Sequence, residues 1–86
     1  MPYIKQDKRH SMDCIVSNMM ESGVQVNGDL NYILFKFAKL HFLHGPGYNY
    51  NAIKNYLGEL NECAEEIRRR FLVPIEDSKI IENGDI

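Results

Sequence analysis

Residues 30–44, LNYILFKFAKLHFLH, have a helical pattern yet are apolar on almost every side, and this segment restricts the fold more than any other. At about 100° per residue, Leu30, Ile33, Phe37 and Leu40 share one face, while Phe35 and Phe42 fall on nearly the opposite one. A helix that is hydrophobic all round has to be covered all round. Asp29 supplies an N-cap for it, and Gly45, Pro46 and Gly47 predict its end.

Two further helices flank this one. Over 5–22, Met12, Ile15, Val16, Met19 and Met20 recur at three- and four-residue steps, and Gly23 provides a stop. Over 50–72, with Asn49 as cap, Ile53, Tyr56, Leu57, Leu60, Cys63, Ala64, Ile67 and Phe71 fall within an arc of roughly 120°, the stripe of a core-facing helix. Pro74 predicts the end of that helix, and residues 75–86 form a short C-terminal helix or ordered tail, with one or two turns over 75–82 before Asn83 and Gly84. The expected fold is therefore all-α: a small three-helix bundle with a short C-terminal helical segment, in one domain spanning 1–86.

Size sharpens the problem of cover. A chain of 86 residues hides only about 60–65% of its unfolded surface, so a monomer with so apolar a second helix is marginal. Homo-oligomerisation is the expected answer, with Phe35 and Phe42 at the interface. Gly58 joins them: a glycine inside a helix costs about 1 kcal/mol, which the close approach of a second helix would explain, the other reading being a tolerated surface glycine. Glu76, Asp77, Lys79, Asn83 and Asp85 in the tail complete the expected interface.

The formal charge of −2 gives no field for nucleic acid, and there is no helix-turn-helix spacing, so DNA binding is not expected. No apolar run reaches the ~18–20 residues that span a bilayer, and the first ten residues lack the apolar core of a secretion signal. The expectation is a cytoplasmic protein without membrane partners. Cys14 and Cys63 read as reduced thiols at or near a core, with no histidine placed to activate either. His41 and His44 lack a third ligand, so no metal is expected.

Three groups of residues bear on function. Arg68, Arg69 and Arg70 form the densest basic cluster, at the expected end of the third helix, where they would cap carbonyls or favour the dipole. In an up-down-up arrangement they also approach the amide-rich start of the second helix. Guanidinium forks of Arg69 and Arg70, the Asn31 amide and the Tyr32 ring then form a site for an anionic, nucleotide-like ligand. The third group is acidic: Glu59, Glu62, Glu65 and Glu66, with Glu82 and Asp85 as a second E-x-x-D. This resembles the carboxylate motifs of all-helical nucleotide pyrophosphohydrolases, which hold Mg²⁺ against a phosphate. Gly84 interrupts the second motif, and a solvated acidic face is the expected reading.

Nearly the whole chain resembles a family of short phage- and prophage-encoded proteins. The similarity is carried by Met1, Pro2, Tyr3 and Ile4; by Gly28, Asp29, Leu30, Asn31 and Tyr32; by Gly58, Leu60 and Cys63; by Glu66, Arg69 and Arg70; and by Pro74, Glu76, Asp77, Lys79, Ile80, Asn83, Gly84 and Asp85. Ile75 stands where that family has tyrosine, and Arg68 where it commonly has an aromatic ring. The resemblance implies a phage-type cytosolic protein that binds a host component or sequesters a signalling nucleotide. The functional expectation is thus a non-enzymatic protein, without cofactors, that captures a small anionic nucleotide-like ligand to counter host defence signalling. The alternative is a protein–protein inhibitor or adaptor acting on a host protein through the apolar helix and the C-terminal segment, and a lesser one is a Mg-dependent nucleotide pyrophosphohydrolase-like enzyme.

Overall fold

The computed structural model describes residues 4–44 and 48–86. It is all-α, with three helices and, among the described residues, no strand. The first helix, α1, spans Gln6–Glu21, the second, α2, spans Asp29–Leu43, and α3 begins at Tyr50 and runs to Ile67. The glycine–proline stop expected at 45–47 lies outside the described residues, as do Met1, Pro2 and Tyr3. The chain divides into two compact units, Met1–Gly45 and Pro46–Ile86.

In the first unit, α1 ends as its glycine requires. Gly23 adopts φ +71°, its N–H donates to the Met20 carbonyl at 3.1 Å, and the Val24 N–H reaches back to Met19 at 3.2 Å. This pair of bonds is the Schellman arrangement, which satisfies carbonyls that the end of a helix leaves open. The start of α2 differs from expectation by one residue. Gly28, at φ +127°, is the capping residue, and Asp29 is already helical. Its carboxylate Oδ2 accepts from the Gln25 backbone N–H at 3.0 Å, so the acid ties the link to the helix start.

Among the described residues of this unit, α1 and α2 are not packed along one another. Leu30, Ile33, Leu34, Ala38 and Phe42 are half-buried along one side of α2, while Phe35 is 69% exposed and Leu43 60%.

The second unit carries the larger difference. Asn49 caps α3 as expected, its Oδ1 accepting from the Ala52 N–H at 2.9 Å. The helix does not stop at Pro74. It passes through a π-helical turn, Arg68–Leu72, into α4, Val73–Asn83, giving 34 helical residues in succession. In unbroken α geometry Pro74 would leave the Arg70 carbonyl without a donor and press its ring against it. The wide turn instead brings the Val73 N–H to the Arg68 carbonyl, five residues back, and Pro74 falls in the first turn of α4, where no N–H is needed. Gly84 then ends the helix at φ +83°, its N–H donating to Ile80 at 2.8 Å.

No described residue is buried. The two thiols expected at or near a core, Cys14 and Cys63, are both exposed: Cys14 lies on the side of α1 opposite its apolar residues, and the stripe that carries Cys63 is left open.

Candidate functional site

The best-defined polar cluster is centred on Glu66. Three and four residues along a helix bring side chains to the same face. Arg69 Nη2 and Arg70 Nε accordingly both donate to Glu66 Oε1, the second at 2.6 Å. The carboxylate is only about one-fifth exposed beneath them. Loss of water around Glu66 pushes its pKa up, but the hydrogen bonds from Arg70 and Arg69 and their charges outweigh this and hold the carboxyl below its ordinary range.

This corrects the expected setting of the arginines. They sit within a continuous helix, in the π turn, and not at a helix end, so carbonyl capping and dipole stabilisation do not explain them. Two of the three guanidinium groups instead pair locally with the single carboxylate of Glu66. Sequence reasoning noted Glu66 beside Arg69 and Arg70 but did not pair them; the three- and four-residue spacing was the available signal.

The partners expected for these arginines belong to the first unit, so each half of the expected ligand site has its own surroundings. Asn31 and Tyr32 occupy the first turn of α2, with both residues exposed. The Tyr32 hydroxyl accepts from Lys36 Nζ at 3.2 Å, and that ammonium lies 5.5 Å from the ring centroid. The amides of this helix start are partly spoken for: Leu30 N–H donates to Gln25 and Tyr32 N–H to Gly28. The Asp29 carboxylate also places a negative charge where the helix dipole favours one, reducing the attraction for a second anion.

The residues expected at an interface are distributed along both units. Phe35 is exposed on α2 and Phe42 half-buried, with the His41 ring edge-on to Phe42 at 5.6 Å and stacked on Phe37 at 5.8 Å. Gly58 is half-buried on α3, and among the described residues a Cβ built there meets no atom within 4 Å. Glu76, Asp77, Lys79, Asn83 and Asp85 are all exposed, with Lys79 Nζ 3.3 Å from Glu82. Asp85 lies beyond the helix end at Gly84, so Glu82 and Asp85 are not presented by one helix. Among the described residues, no three His, Cys, Asp or Glu side chains are grouped as metal ligands, and no helix is long and apolar enough to cross a membrane.

Over its whole length, residues 1–86, the sequence matches a family described as Domain of unknown function (DUF6899). The chain belongs to that family. No curated protein and no solved structure matches this DUF6899 chain. Its chemistry therefore has to be argued from its own surfaces, which are apolar helix faces with few polar groups converging on any point.

Proposed function

We propose that the chain works by binding and not by catalysis, as a helical adaptor or inhibitor whose apolar faces are completed by protein partners. The observation that carries this is the exposure of large apolar side chains on both units, Phe35 and Leu43 on α2 and Phe71 at 65% in the π turn, with no described residue buried. Exposed apolar patches of this kind mark interaction surfaces. The resemblance to phage proteins supports a host protein as one partner, in the host cytoplasm. A photo-cross-linking amino acid at position 35 or 43 tests it in expressing cells. Discrete protein cross-links at these positions, absent when the probe stands at exposed Glu21, are expected; equal labelling at all three would overturn it.

Capture of a small nucleotide-like anion is the second reading, supported by Arg69 and Arg70 being held side by side on one helix face. It carries a condition: an incoming phosphate has to displace Glu66 from both guanidinium groups. Ligand that binds only the native state raises the melting temperature by mass action. A nucleotide panel giving such a rise, abolished by Arg69→Ala with Arg70→Ala, is the result this reading requires. No rise with any linear or cyclic nucleotide would retire it.

A further inference from the structure

The 34-residue helix of the second unit carries a charge order that complements itself when reversed. Lys54, Asn61, Glu65 and Arg68 follow at seven-, four- and three-residue steps, so they line one flank of the helix. Asp77 would lie about 140° from Lys54 in unbroken α geometry. The π turn inserts one extra residue and takes back about 100°, which returns Asp77 to the same flank. The flank then reads plus, minus, plus, minus. Among the described residues, none of Lys54, Glu65, Arg68 and Asp77 forms an ion pair within the chain.

We infer that this helix pairs antiparallel with the same helix of a second copy, crossing at Glu65 and Glu66. That crossing point is equidistant from Lys54 and Asp77, so each lies level with the other's position on the opposite helix. Glu65 comes within one residue, about 1.5 Å along the axis, of Glu65 in the second copy and within two residues, about 3 Å, of its Arg68, whose charge offsets that repulsion. A two-fold axis repeats every pairing, as a closed dimer interface requires. Beside the charged flank runs the apolar stripe of Leu57, Leu60, Ala64 and Ile67, continued past the π turn by Leu72 and Ile75. Ile67 is 53% exposed and Ile75 59%, so the stripe is available to a second copy. From Ile53 to Ile75 it covers 23 residues, just over three heptads, a length over which helix pairs become stable. The apolar stripe supplies affinity, and the exposed ion pairs fix orientation and register. A parallel pair would set Lys54 level with Lys54 and Asp77 level with Asp77, and would leave the four charges unmatched.

This goes beyond the binding of a host partner through α2 and is tested independently of it. Chains carrying Lys54→Cys and chains carrying Asp77→Cys, both with Cys14→Ser and Cys63→Ser, are mixed and oxidised at full length. Disulfides joining unlike chains are expected to dominate; a majority of 54–54 or 77–77 disulfides, or no cross-link, overturns the pairing. As a second measurement, Lys54→Glu is expected to weaken dimerisation about tenfold by replacing attraction with repulsion, and Asp77→Lys in the same chain to restore it. Unchanged dimerisation in the single variant, or no recovery in the double, overturns it as well. Circular dichroism of each variant confirms that the helix is retained.

Discussion

Arg70 Nε lies 2.6 Å from Glu66 Oε1, one helical turn away, and Arg69 donates to the same oxygen. One carboxylate thereby organises two guanidinium groups just where the helix widens. The arrangement accounts for a basic cluster in the middle of a helix without requiring either a helix end or a bound anion.

The lowered pKa of Glu66 has a direct consequence for stability. A carboxyl whose folded-state pKa is depressed contributes stability above its unfolded value, near 4.3, and loses that contribution as pH falls through the folded value. Carbon-detected NMR titration is expected to show Glu66 protonating at lower pH in the unmodified chain than in the variant carrying Arg69→Ala with Arg70→Ala, and coincident titration of Glu66 in the two proteins would contradict the pairing.

Gly58→Ala is expected to raise stability by about 1 kcal/mol, since the added Cβ meets nothing within 4 Å and alanine limits the unfolded chain. Thermal melts at two protein concentrations give the measurement. A lower melting temperature would instead show that another chain approaches this glycine closely.

Gly23→Ala should act in the opposite sense. At φ +71° an alanine pays roughly 1–2 kcal/mol for a left-handed backbone, although the space around it is open. Denaturant unfolding measures this, and an unchanged midpoint would mean that the Schellman end of α1 is not formed.

Pro74→Ala restores the missing N–H and removes the ring. The π turn is then expected to relax to α geometry, with the residue 74 amide bonded to the Arg70 carbonyl and slowed in hydrogen exchange. The same change rotates Asp77 by about 100° off its flank, so self-association should weaken although the helix becomes more regular. Persistence of the Val73-to-Arg68 bond would separate the wide turn from the proline.

The positions of the helices were legible from local rules. Gly23 ended α1, Asn49 capped α3, and the apolar stripe of α3 followed from its spacing, because each of these depends on residues within one turn. The passage through Pro74 was not legible, since a proline ends a helix unless the preceding turn widens, and nothing in RRRFLVP announces that choice. The exposure of Cys14 and Cys63 was missed for another reason: periodicity identifies the face that seeks cover but not whether the same chain supplies it. Of the candidate site, the run of arginines was visible in the sequence, and its pairing with Glu66 was not drawn despite favourable spacing.

Sedimentation equilibrium of the full chain at micromolar concentration asks whether its apolar helix faces are satisfied by other chains. A particle of twice the 10.0 kDa chain mass, or a closed multiple of that pair, is the expected result. A stable, fully helical species at 10.0 kDa with no concentration dependence would contradict it.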